Sequence, residues 1–405
     1  MNPTLRRLAW VPLLALALWS LSWLIDLGGG AAAERSDGHP WNPPIQVHLG
    51  AASGEEQVRL ELVGRWQLRS ADSKDQMLHE GSGFDGRIRV DAAGIRLGDY
   101  HTLRDSVWLV PEGDEALRLD GLSYDGRLLI ELDRDRRGRP EDLELSLELP
   151  LESYVLGVVC GEMPTMAPDI HEALRAQAVA ARSYALWRLG QGRMLRDDAR
   201  DQVYKGADFI TNEARAAVGA TRGLVLFWEN ELVPCYFHRN CGGLTADARA
   251  AGFTKERVAP LAGVLDETCR TPYGWERRVA AARFDRLAES HDLGESLTNI
   301  HALQRDASGR MLELRLQGEE EHHDLPADQV RGALRLPSST WTAATVLPDG
   351  SVMMSGRGYG HGVGMCQEGA LDRAREGASA EELLAHYYPG AALHRLSTED
   401  QRLLP

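Results

Sequence analysis

Between Ile45 and Glu148 apolar and polar positions alternate in short runs: IQVHL, QVRLELV, RIRV, GIRLG, SVWLV, LLIEL and LELSLEL. A period of two puts one side chain in the core and the next in solvent, which is the pattern of half-buried strands. Turn signals, Asp125-Gly126 and RRGRP at 136–140 among them, separate the runs. The stretch 45–148 therefore reads as a β-rich N-terminal region. At Pro150 the period changes. In LESYVLGVV the residues Leu151, Tyr154, Val155, Val158 and Val159 recur at helical spacing, Gly157 leaves room for a second backbone, and Pro164 stops the helix. The stretch HEALRAQAVAARSYALWRL predicts another helix, with alanines dense enough for tight packing on more than one side. Asp169 and Glu172 ahead of it have capping-box spacing.

Further on, GLVLFW and ELVPCYF flank Glu229-Asn230 as a hairpin, and RMLELRLQG predicts a strand. Residues from Ser351 to Ala370 read as strand, Gly-rich loop and helix start; Ser379 and Glu382 form a second capping-box pair before ELLAHYYPG. The fold class is α+β. The expected divisions are a signal or anchor at 1–33, a linker at 34–44, the β-rich region at 45–148, one mixed domain at 149–395 and a tail at 396–405.

Composition narrows the function. The chain has 405 residues and a formal charge of -15, so a nucleic acid is not the expected partner. Its only lysines are Lys74, Lys205 and Lys255; the remaining cations are Arg, which suits planar carboxylate recognition. Arg6-Arg7 precedes the uncharged run LAWVPLLALALWSLSWLI, Leu8 to Ile25, and small residues follow. This is the form of an export signal, and the run is also just long enough to anchor the chain in a membrane. Export to the cell envelope places the five cysteines, Cys160, Cys235, Cys241, Cys269 and Cys366, where disulfides are permitted.

Three segments carry candidate chemistry. In VVCGEMP, Glu162 falls in the last helical turn, where the helix dipole and apolar neighbours disfavour ionisation, as a general acid requires. In YFHRNCGGLT, with Cys235 just before it and Cys269 beyond, a Cys241–Cys269 disulfide is expected. The alternative is a zinc site at Cys235, His238, Cys241 and Cys269. In SGRGYGHGVGMCQEGA, alternating glycines bring backbone N–H groups toward a ligand and present Arg357, Tyr359 and His361; a P-loop is excluded because no Gly-Lys-Ser/Thr follows.

In order along the chain, LPLESYVLGVVCGEMP, AQAVAARSYAL, DQVYKGA, YFHRNCGGLT, GYGHGVGMCQEGA and ELLAHYYPGA resemble the SpoIID/LytB family of sporulation and amidase-enhancer proteins. The resemblance spans about residues 149–391 and covers the β-rich region only loosely. It implies a lytic transglycosylase that cleaves MurNAc–GlcNAc linkages in peptide-stripped glycan strands, with Glu162 as the catalytic residue. It also implies Arg182 and Tyr204 as cleft residues. His238, Arg357, Tyr359, His361 and Gln367 join them as candidate substrate contacts, and no cofactor is expected. The other function the resemblance allows is a non-catalytic, glycan-binding enhancer of a cell-wall amidase. Cys241, where many members carry Ser, departs from the family pattern, as do Cys160 and Cys366.

Overall fold

The computed structural model describes residues 41–403 apart from 73–74, 92–93, 114–116 and 270–273. The apolar run Leu8 to Ile25 lies outside the described residues, among which no helix is long and apolar enough to cross a membrane.

The alternating runs form strands β1 (Pro44–His48), β2 (Gln57–Ser70), β3 (Met77–Asp91), β4 (Gly94–Leu97), β5 (Tyr100–His101) and β6 (Ser106–Pro111). They continue as β7 (Leu117–Leu119), β8 (Leu122–Tyr124), β9 (Arg127–Arg134) and β10 (Pro140–Pro150). With the short β11 (Leu195–Arg196) they make one sheet of order β11-β1-β10-β9-β6-β2-β3-β4-β5, from which β7 and β8 branch beside β2. The period of two is realised in β10, where Leu143, Leu145, Leu147 and Leu149 are all buried. Each such leucine contributes roughly 2 kcal/mol of burial. Leu145 and Leu147 face Ile130 and Leu128 of β9 across the antiparallel ladder.

Strand β10 runs without a linker into α1 (Leu151–Glu162), followed by α2 (His171–Gly190) and α3 (Asn212–Ala220). Ala173, Ala176, Ala178, Ala180, Ala181 and Ala185 of α2 are all buried, so this helix is packed around most of its circumference. The capping box expected from Asp169 and Glu172 does not form. A short 3-10 turn, Pro168–Ile170, precedes α2, and Ile170 stands at its N-cap. Glu172 instead binds Arg175 and accepts a bond from the Ala380 N–H of a later helix.

The hairpin β12 (Leu224–Trp228) and β13 (Glu231–Leu232) turns at Glu229 and Asn230, both with positive φ. Strand β14 (Phe237–His238) follows. A second hydrophobic core then occupies residues 275–354, inside the stretch read from sequence as one mixed domain. It is built from β15 (Gly274–Val279), α4 (Ala281–Glu289), β16 (Asn299–Arg305), β17 (Met311–Gln317), β18 (His322–Pro326), α5 (Ala327–Leu334), β19 (Trp341–Val346) and β20 (Val352–Arg357). Leu314 and Leu316 from the predicted strand, with Leu287, Val330 and Met354, lie at its centre. The chain returns to the first core through β21 (Met365–Cys366), which pairs in parallel with β14. Next come α6 (Gln367–Arg375) and α7 (Ala380–Tyr387), then β22 (Ala392–Arg395), which pairs with β12. The Ser379–Glu382 capping box is present at the start of α7.

Candidate active site

Two glycines on α1 shape the site. A Cβ on Gly157 would lie 2.3 Å from Cε2 of Tyr204, and one on Gly161 would lie 2.2 Å from the Val203 carbonyl oxygen. Their absence lets the QVYKG segment lie directly on the helix. Tyr154 Oη donates to Gln202 Oε1 at 3.1 Å, and the Tyr204 ring packs 5.4 Å from that of Tyr154. In this position the Val203 N–H donates to Glu162 Oε1 at 2.7 Å. On the other side Gln367, the first residue of α6, donates from Nε2 to Glu162 Oε2 at 3.4 Å and to Gln177 Oε1 at 3.5 Å.

Glu162 is therefore the last residue of α1, half-buried, with a donor aimed at each carboxylate oxygen. Burial raises its pKa above the usual glutamate range; the Val203 and Gln367 donors and the charge of Lys205 offset only part of that rise. The partial negative charge of the helix end acts in the same direction as burial. The carboxyl is thus biased toward its protonated form while remaining partly open to solvent.

The other acid on α1 is neutralised. Glu152 receives Nε and Nη2 of Arg182 at 2.9 and 2.7 Å and the Gly223 N–H at 3.1 Å. Arg182 is fully buried, and its Nη1 donates to the Ala178 and Leu224 carbonyls. Arg182, expected as a cleft residue, thus ties α1, α2 and β12 together through these bonds. Tyr204 is likewise a wedge in the core, its phenol pushed upward in pKa by burial.

The Gly-rich segment packs closely against other parts of the protein. A Cβ at Gly362 would meet Arg310 Nε at 2.1 Å, and one at Gly364 would meet the Tyr236 carbonyl at 2.0 Å. The glycines admit the protein's own groups. Buried Arg310 crosses from the second core and donates to the carbonyls of Cys241 and His361 and to Thr340 Oγ1. His361 packs against Phe253 and His238 at ring separations of 4.8 and 5.6 Å, and its Nδ1 accepts the Val363 N–H. Burial pushes both histidines well below the ordinary imidazole range; His238 Nδ1 is paired with the Val363 carbonyl. Arg357 is exposed and bonds the Ser308 carbonyl, and Tyr359 lies beneath the Arg239 guanidinium at 5.2 Å. Of the expected contacts, Gln367 is the one that the structure brings to Glu162.

No sequence pattern singled out Val203, because its contribution is a backbone N–H. Lys205 and Arg310 were also missed; the first sits in the QVYKG motif, and the second just before β17, whose sequence reads simply as amphipathic.

Cys241 and Cys269 are not joined, and all five cysteines are free thiols. The four residues of the alternative zinc set are also divided. Cys235 lies fully buried near Ser183, its thiol pushed up by burial, and His238 turns to Val363. Cys241 and Cys269 instead converge with Cys366 and Asp266, all four ligand atoms lying within 4.8 Å of one another.

Fold and site together define a mixed α+β protein that presents one desolvated carboxyl at a helix end beside a motif loop. Residues 140–228 match the family model for stage II sporulation protein, SpoIID, and residues 256–364 match a domain of unknown function, DUF8618. The chain is 28% identical to stage II sporulation protein D of Bacillus amyloliquefaciens over 60% of its own length and 73% of that protein. It is 25% identical to the amidase enhancer of Bacillus subtilis over 82% of its own length and 54% of that protein. An uncharacterized protein of Brachyspira hyodysenteriae is 28% identical over 73% of this chain and 78% of its own. These matches support the SpoIID/LytB resemblance read from the sequence, with the SpoIID match itself confined to residues 140–228.

Proposed function

We propose that the chain is an exported cell-wall remodelling enzyme, a lytic transglycosylase acting on peptide-stripped peptidoglycan strands at the cell envelope. The reading rests on one observation: Glu162 is desolvated and biased toward protonation, while its nearest rival, Glu152, is locked to Arg182. Hydrolytic glycosidases ordinarily use two carboxyl groups. A transglycosylase needs one. Protonated Glu162 gives its proton to the oxygen bridging MurNAc to GlcNAc as the C1–O bond breaks. The resulting carboxylate accepts the proton of the muramyl C6 hydroxyl as O6 bonds to C1. The enzyme is regenerated, and the product is a 1,6-anhydro sugar. Lys205, exposed and close enough to Glu162 to influence its charge, is the cation that faces the lactyl carboxylate of a stripped muramyl residue.

The match to an amidase enhancer across most of this chain supports a second reading, a non-catalytic protein that binds glycan and stimulates a cell-wall amidase. On either reading the segment from Leu8 to Ile25 directs export or holds the protein at the membrane. Mass analysis of products from peptide-free glycan strands separates the two. Anhydro-muramyl ends formed by the wild type and lost in Glu162→Gln support the enzyme. Intact strands together with undiminished amidase stimulation by both proteins would replace it with the enhancer.

A further inference from the structure

The three thiols and one carboxylate regrouped around Cys241 have no part in the chemistry at Glu162. They come from three separate stretches: the Gly-rich turn after β14, the loop 266–269, and the β21–α6 junction, where Cys366 is the N-cap of α6. Cys241, Asp266, Cys269 and Cys366 are 5% exposed or less. The Cys269 and Cys366 sulfurs are 3.8 Å apart, and Cys241 Sγ is 3.7 Å from Asp266 Oδ2. A tetrahedral ion with metal–sulfur bonds of about 2.3 Å places its sulfur ligands about 3.8 Å apart.

A second feature bears on the same point. Four N–H donors are aimed at the three sulfurs. Gly243 N–H reaches Cys241 Sγ at 3.2 Å, Cys241 N–H reaches Cys366 Sγ at 3.2 Å, and Gly369 N–H reaches Cys366 Sγ at 3.3 Å. Asn240 Nδ2 reaches Cys269 Sγ at 3.4 Å. Donors converging on sulfur stabilise thiolates, the form a metal binds. Asp266 is oriented from behind by Tyr387 Oη on Oδ2 at 2.7 Å, and by Thr268 and Arg373 on Oδ1 at 3.0 and 3.3 Å. Outer contacts of this kind hold a ligating carboxylate in place and offset its charge.

The geometry points to a closed, mononuclear zinc site formed by Cys241, Asp266, Cys269 and Cys366. Four protein ligands leave no open position, so the ion is structural. Its binding releases the thiol protons, and it clamps the turn at Cys241 and the loop at Asp266 to the N-terminus of α6. The inference does not depend on whether the chain is an enzyme.

The test is elemental analysis of the full chain purified from an exporting host, with thiol alkylation before and after chelation. Expected is about one zinc per chain, with Cys241, Cys269 and Cys366 protected from alkylation until a strong chelator is added. Cys269→Ser and Cys366→Ser lose most of the metal, whereas Cys235→Ser keeps it. Because the cluster variants are liable to misfold, the wild type is also exchanged with cobalt. Tetrahedral d–d bands with thiolate-to-cobalt charge transfer are the expected spectrum. Metal-free protein with a disulfide among these cysteines overturns the site, as does cobalt protein without the charge-transfer band. Zinc retained in folded Cys269→Ser and Cys366→Ser overturns it too.

Discussion

Glu162 is held between burial, which disfavours its charge, and two donors that favour it, and burial prevails. Two expectations follow. Glu162→Gln lowers anhydro-sugar release by about 10²–10⁴-fold, the usual contribution of a general acid–base group. The amide keeps an oxygen for the Val203 N–H and carries no charge to desolvate, so the variant is at least as stable as wild type at neutral pH. The sign can be followed across pH. A folded-state pKa above the unfolded one favours the fold while Glu162 is protonated, and that advantage is lost as pH rises through the raised value. The stability excess of Glu162→Gln should therefore grow toward alkaline pH and vanish below the ordinary glutamate range, as read by denaturant titrations. Catalysis falls on the same alkaline limb because the acid must be protonated. Arg182 calls for the opposite expectation. Arg182→Met strands Glu152 inside the protein and costs about 3–5 kcal/mol. Adding Glu152→Gln should recover part of that loss, and the folded fraction should keep its glycan affinity. A selective loss of affinity without loss of stability would place Arg182 in the cleft.

At the scale of the element, the site depends on how closely a loop can approach a helix. Gly161 sets that distance for Val203, so Gly161→Ala must displace either the loop or the end of α1. Overpacking of this kind costs about 1–3 kcal/mol, and here it also removes the donor on Glu162. The expected result is a folded protein with a marked drop in kcat and little change in KM, seen in steady-state rates on stripped strands. The need for small residues on α1 was legible, since Gly157 stood out within an otherwise apolar helix. Strand alternation, the hairpin at Glu229-Asn230 and the Ser379 cap were legible for the same reason: each is set by neighbours in sequence. The Asp169–Glu172 box failed because a distant helix competes for Glu172. The Glu152–Arg182 pair was not legible, because the position of Arg182 on α2 says nothing of the buried acid facing it from α1. The second core was hidden because its short strands and helices have the same periodicity as those of the first.

Across the whole molecule, the region containing the carboxyl does not stand apart from the β-rich region before it. Strand β10 supplies buried leucines to the eleven-stranded sheet and becomes α1 at Pro150 with no intervening linker. Strand β11, beyond α2, returns to pair in parallel with β1 at Val47 and His48. Ser123 of β8 binds Asp208, and the Gly206 backbone lies so close to the Ser123 carbonyl that a Cβ would sit 2.2 Å from it. The loop that bonds Glu162 thus rests on α1 on one side and on the sheet on the other. Deleting residues 41–139 would leave β10 without β1 and β9, expose Leu143, Leu145, Leu147 and Leu149, and remove the surface that supports the QVYKG segment. At roughly 2 kcal/mol for each exposed leucine, the loss is comparable with the whole stability of a typical domain. The shortened chain should show no cooperative urea transition, and its near-ultraviolet circular dichroism should be lost. If it instead unfolded cooperatively and still cleaved glycan, the sheet would be an accessory to the site and not part of its foundation.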